Sequence, residues 1–169
     1  MRQWAFALFL YAVTAILFVC PANGQAREEF VGPLDGWANV KRDFGAKGNG
    51  KDDDTQALQN AISYLSVPPK GFSMGVSGYT VIYLPAGTYC ISSTLQMRGK
   101  IGVTIIGEDP ARTIIKWTGK ENNTAFLANG CAYFRISRLT WDANGRTNME
   151  AIGIHWKDRW NNPGDQSFA

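Results

Sequence analysis

Residues 81–117 read VIYLPAGTYCISSTLQMRGKIGVTIIGEDPARTIIKW, a series of short β-branched and apolar runs punctuated by glycine, proline and serine. No run is long enough for an ordinary helix, and turn-forming residues bound each one, so the stretch predicts a succession of short strands. Strands are expected at Thr80–Leu84, Thr88–Ile91, Val103–Ile106 and Thr113–Trp117, and further on at Ala125–Ala128, Phe134–Trp141 and Ile152–Trp156. Ile91, Ile114 and Ile136 follow one another at steps of 23 and 22, and Ile105 and Leu127 lie 22 apart. A period of that length is what a solenoid shows when each coil hides its apolar side under the next. The step from Leu127 to Ile152 is longer and contains Asn144 to Asn148, read as a loop insertion.

Alternation within the strands adds an inside and an outside. Phe134 and Ile136, then Leu139 and Trp141 after a bend at Ser137-Arg138, form an apolar side, while Arg135, Thr140 and Asp142 point the other way. Ile152, Ile154 and Trp156 alternate in the same way with Gly153, His155 and Lys157. The polar set forms an outer wall, and any binding or chemistry belongs there.

Upstream, Ala57, Leu58, Ala61, Ile62 and Leu65 recur at the spacing of one helix face, with Asp53 expected as N-cap and Gln56 three residues on. Pro68-Pro69 ends the pattern, and Gly71 to Gly78 reads as a loop. Asp52-Asp53-Asp54 lacks the spacing of a calcium-binding EF-hand loop, and its charge is explained by the helix N-terminus, where the macrodipole favours acids. Asp53 and Asp54 are therefore assigned to capping.

At the N-terminus, Arg2 precedes a charge-free run from Trp4 to Val19, and Ala22-Asn23-Gly24 supplies small residues for signal peptidase. Residues 1–24 are expected to be a cleaved signal peptide, with Ala26 the second choice of site. The apolar run is shorter than the ~20 residues that span a bilayer, so no stable membrane association is expected after cleavage. A secreted product, extracellular or periplasmic, follows. Val19 argues against a lipid anchor on Cys20, because such a site needs a small residue there. The mature part then holds two cysteines, Cys90 and Cys131, too few for a disulfide scaffold. Stacked residues two coils apart are ~9.6 Å from each other at the ~4.8 Å strand spacing, beyond disulfide reach, so the pair is expected to be unbridged. Asn122-Asn123-Thr124 is a glycosylation sequon that matters only in a eukaryotic source. The 169 residues carry a net charge of +3 with no basic stripe, which argues against a nucleic-acid partner.

Two stretches carry a family likeness. NVKRDFGAKGNGKDDDTQALQNAI, from Asn39 to Ile62, resembles the entry segment of the pectate lyase superfamily, and Val81 to Trp117 resembles the coils that follow it there. That superfamily includes polygalacturonases, rhamnogalacturonase-like proteins and some phage tailspikes. The resemblance implies an all-β fold, the first coils of a right-handed parallel β-helix, capped by a helix from Asp54 to Ser66. It divides the chain into a signal peptide (1–24), an N-terminal extension (25–38) and a β-helix domain (39–169) expected to be truncated at its C-terminus. It also implies a polysaccharide partner and a lyase or glycoside hydrolase activity on pectin-type or other acidic polymers, with calcium as a possible cofactor only for a lyase. A non-catalytic adhesive β-helix and a phage-type depolymerase are the alternatives; the signal peptide argues against the latter.

The hydrolase motifs of that superfamily, a Gly-His-Gly and an Arg-Ile-Lys with paired acids, do not occur here. Breaking a polyuronide needs two carboxylates about the glycosidic bond, or a base beside the C5 proton with a cation on the uronate. Asp142, His155 and Lys157 are the candidates for such groups, grouped with Asp158 and Arg159 near one outer wall. Trp141 and Arg159 are candidates for substrate binding. Each has a competing structural reading: Asp142 opens the turn Asp142-Ala143-Asn144-Gly145, and Trp141 and Trp156 suit the core. No metal site and no other cofactor is read from the sequence. The fragment alone is expected to be inactive and to self-associate through its last coil.

Overall fold

A computed structural model describes residues 32–65 and 78–155. In chain order the elements are β1 (Ala38–Asn39), α1 (Val40–Phe44), β2 (Asn49–Asp53), α2 (Thr55–Ser63), β3 (Val81–Leu84), β4 (Gly87–Ile91) and β5 (Leu95–Arg98). They continue with β6 (Thr104–Gly107), β7 (Thr113–Trp117), β8 (Thr124–Asn129), β9 (Arg135–Ser137), β10 (Thr140–Asp142) and β11 (Glu150–His155). Three sheets result, ordered β1-β3-β6-β9, β2-β4-β7-β10 and β5-β8-β11, and every pairing is parallel. From β3 onward each strand pairs with the third strand after it, so the chain winds through the three sheets once per coil. This is a parallel β-helix.

Stacked side chains form its interior. Ala38, Ile82, Ile105 and Ile136 stand in register in the first sheet, Tyr89, Ile115 and Trp141 in the second, and Leu95, Phe126 and Ile152 in the third. All join one apolar core. Each fully buried member contributes about 1.5–3 kcal/mol by leaving water.

The register corrects the expected period. Ile82 to Ile105 is a step of 23, but Ile105 to Ile136 is 31, Thr88 to Ile114 and Ile114 to Thr140 are 26 each, and Leu95 to Phe126 is 31. Ile91, Ile114 and Ile136 are no column: Ile91 pairs with Trp117, Ile114 with Thr88, and Ile136 lies in another sheet. Ile105 and Leu127 also occupy different sheets. Turns of unequal length set the repeat, so constant spacing does not mark equivalent residues. The step judged irregular is close to a true one, because Leu127 pairs with Gly153. Phe134–Trp141 is two strands of two sheets, broken at Arg138, whose φ of 58° lies at the expected bend.

The turn before the first full coil is incomplete: β1 and β2 are followed by α2, which takes the place of a third strand beside β5. Its Leu58, Ala61 and Ile62 cover the end of the core, as the apolar spacing predicts. The helix is shorter than expected, Leu65 being buried but bridged to Tyr79. The N-cap position belongs to Asp54, not Asp53, and the Asp54 carboxylate turns away to accept the Lys47 and Gly48 N–H groups at 2.6 and 3.0 Å. Asp53 accepts the Thr55 N–H and hydroxyl and the Ser92 hydroxyl, so it still serves the first turn. Gln56 bonds Asn60 instead of closing a capping box. The proposed leader 1–24, Pro68-Pro69, most of the 71–78 loop, and Trp156, Lys157, Asp158 and Arg159 lie outside the described residues.

Candidate functional site

Two outward walls carry the polar side chains that the sequence singles out. On the second sheet, Asp53, Cys90, Lys116 and Asp142 stand in register across four successive strands. On the third, Arg98, Asn129 and His155 form a similar ladder, beside a second row of Gln96, Leu127 and Gly153. Asp142 and His155 thus belong to different sheets. The expectation that they share one wall fails because the chain changes sheets between β10 and β11. Asp142 accepts the Asn144 N–H at 2.7 Å, the turn role that competes with catalysis. Trp141 packs in the core, its ring 6.0 Å from that of Phe126.

The third-sheet wall meets α2 at an open groove of about 510 Å³. Its construction follows from the sheet edge. Among the described residues no strand pairs with β5 on the α2 side, so the Gln96 N–H and C=O need other partners. The Gln59 side-chain amide supplies both, accepting the N–H at 2.8 Å and donating to the carbonyl at 2.9 Å. Thr55 Oγ1 accepts the Ser92 N–H at 2.9 Å further along. The helix therefore closes the edge by side chains rather than by backbone, which leaves space between the two elements.

Two cations stand in that space. Arg98 donates through Nε and Nη2 to one acceptor, Gln96 Oε1, at 3.1 and 2.6 Å. Lys100 is 5 % exposed, and its ammonium donates to the Ser63 carbonyl at 3.2 Å and to that of Leu65. These are carbonyls at the C-terminal end of α2, where a cation is favoured. Burial lowers the Lys100 pKa from its ordinary value. Arg98 and Lys100 are candidates that the sequence reading passes over. The alternation in Leu95-Gln96-Met97-Arg98 was the available signal, since it places Gln96 and Arg98 outward.

On the second-sheet wall the electrostatics are different. Burial opposes ionisation of Asp53, but the hydroxyls of Ser92 and Thr55 outweigh it and hold the carboxyl below its ordinary pKa. The Cys90 thiol is pushed up by burial, with Lys116 opposing. Cys90 and Cys131 are separate buried thiols, as expected, though they stand on consecutive coils rather than two apart. Among the described residues no three His, Cys, Asp or Glu side chains are placed to hold a metal ion. No described helix is long and apolar enough to cross a membrane.

Comparison with known proteins agrees with this geometry. A probable glucan endo-1,3-β-glucosidase of Arthroderma benhamiae is 31% identical over 70% of this chain and 15% of its own length. Alginate lyase 7 of Azotobacter vinelandii is 37% identical over 69% of the chain and 14% of its own, and mannuronan C5-epimerase AlgE3 of the same organism is 36% identical over 70% and 6%. Among solved structures, ORF18 of Geobacillus virus E2 matches with a TM-score of 0.56 and 28% identity, over 70% of this chain and 22% of that one. The chain therefore spans a small part of each of these relatives. The signature of rhamnogalacturonase A/epimerase, pectate lyase-like proteins matches residues 37–157, which include β1 to β11, and the chain belongs to that carbohydrate-active family.

Proposed function

We propose that these coils are the entry part of a secreted protein that acts on an acidic polysaccharide, by elimination, hydrolysis or epimerisation, with the reacting groups supplied by residues other than Asp142. The observation that carries this reading is the match of residues 37–157 to a pectate lyase-like family, and the groove of Arg98 and Lys100, lined by no acidic side chain among the described residues, adds a cationic surface. A uronate polymer brings one carboxylate per sugar, and a guanidinium fork matches that group. Relatives named for alginate and mannuronan support the same polymer class. His155, on the outer ladder two strands from Arg98, faces solvent where a polymer would pass. The leader expected at residues 1–24 supports secretion.

A second reading is hydrolysis of a neutral β-glucan, which the Arthroderma benhamiae relative favours. The two separate on product. Protein isolated from its natural source is incubated with polygalacturonate, alginate and a β-1,3-glucan, while unsaturated ends, reducing ends and C5 configuration are followed. Change in a polyuronate alone supports the first reading. Change in the glucan alone supports the second, and no change in any of the three removes both in favour of a binding protein.

A further inference from the structure

We propose that the groove between α2 and β5 is a carboxylate-binding subsite for an acidic glycan, with Arg98 as its anchor and Lys100 as a supporting charge; this rests on the polysaccharide reading above. Arg98 has five N–H donors, and Gln96 Oε1 engages only the Nε and Nη2 groups. Gln59 holds the Gln96 backbone through both its groups, and the Gln96 side-chain oxygen orients the guanidinium. Lys100 uses its ammonium on two carbonyls and retains a third donor. Neither cation pairs with a carboxylate among the described residues. Two cationic side chains lining one hollow, without a carboxylate to offset them, favour an anion there.

The remaining lining identifies the kind of anion. The Ser93 hydroxyl faces the groove, and Ser63 and Thr94, whose hydroxyls donate to the Gln59 and Thr124 carbonyls, keep oxygen lone pairs that can accept from the hydroxyls of a sugar. Among the described residues no aromatic ring lines the groove to stack a nucleobase. The volume of about 510 Å³ lies within the usual range for small-ligand sites, about 300–1,000 Å³, and its open side admits a chain rather than a single small ion. The hollow also lies at the N-terminal end of the β-helix, where α2 replaces a strand. It is a consequence of the cap: a strand in that place would have closed it.

Calorimetric titration of the full chain with a short oligogalacturonate and a short oligomannuronate tests the subsite. At least one should bind, and Arg98→Gln should weaken that binding by about tenfold or more, with Arg98→Lys intermediate because it keeps charge but loses the fork. Arg98 is exposed, so an unchanged thermal midpoint is expected for both variants and separates lost binding from lost folding. Lys100→Met is the less clean variant, since Lys100 caps α2. The proposal is overturned if neither oligouronate binds or if Arg98→Gln leaves the affinity unchanged. Equally tight binding of a neutral laminari-oligosaccharide or of inorganic polyphosphate overturns it too. The polysaccharide reading fails separately, through lack of any change in polyuronate by the natural protein.

Discussion

Replacing Asp54 by alanine should destabilise the fold by about 3 kcal/mol, although Asp54 forms no ion pair among the described residues. Asp54 is 2 % exposed, and its carboxylate accepts the Lys47 and Gly48 N–H groups at 2.6 and 3.0 Å, tying the turn after α1 to the start of α2. A hydrogen bond to a charged group contributes about 1.5–3 kcal/mol net. Lys47 is exposed and its N–H regains water in the variant, whereas the half-buried Gly48 N–H regains it less well. A carboxylate at the N-terminus of α2 adds roughly 0.3–1 kcal/mol through the helix dipole. The backbone bonds of Asp54, from its N–H to Cys90 and from the Leu58 N–H to its carbonyl, are unaffected. With a urea dependence of about 2 kcal/mol per molar, the unfolding midpoint should fall by about 1.5 M. Asp54→Asn should lose about half as much, because its amide oxygen still accepts one N–H. Urea unfolding followed by circular dichroism measures both. A midpoint for Asp54→Ala within ~0.3 M of the parent would refute the assignment of these bonds as the link between turn and helix.

Gly107→Ala should destabilise by more than about 2 kcal/mol, because a Cβ there would sit 2.1 Å from the Arg138 carbonyl oxygen. Gly102→Ala, with open space but a φ of +66°, should cost only the left-handed backbone penalty of about 1–2 kcal/mol; paired thermal melts check the order. The Ala86 N–H holds the Glu108 carboxyl below its ordinary pKa, against burial and with help from Tyr83 and Arg112. Its stabilisation is therefore complete above the unfolded value of about 4.3 and is lost as pH falls through the lower folded value. Glu108→Gln should be the less stable protein at pH 7, with the gap narrowing below about pH 4 in acid-unfolding curves. Burial raises both the Cys90 and Cys131 thiols, so alkylation at pH 8 should be slow in the native protein and should reach both after denaturation without reductant. Mass spectrometry counts the modified thiols.

The sequence exposed the strand segments and the coil architecture because alternation is written locally. Val81–Leu84, Thr113–Trp117 and Thr124–Asn129 carry enough apolar residues to announce themselves. Leu95–Arg98 does not, since Gln96 and Arg98 occupy its outward positions and only two apolar residues remain. The stacking register was not legible: it depends on turn lengths, and a run of isoleucines at even spacing joined residues of different sheets. The cap shifted by one residue for a related reason. Three consecutive aspartates are alike in sequence, and a tertiary partner, the 47–48 turn, decides which carboxylate leaves the helix. Asp142 and His155 are neighbours in the final coils, yet the corner between β10 and β11 sends them to separate walls. Arg98 and Lys100 form no motif, and only the replacement of a strand by α2 brings them into one hollow.

The measurement that bears most directly on function is the action of the natural protein on polyuronate. Polygalacturonate and alginate are each treated with purified protein, with and without added calcium, and followed by ultraviolet absorbance for unsaturated ends, by reducing-end assay and by proton NMR for C5 configuration. A change in at least one polyuronate under one of these readouts is expected, and none in a neutral β-1,3-glucan. A glucan that is cut while both polyuronates stay intact would contradict that expectation.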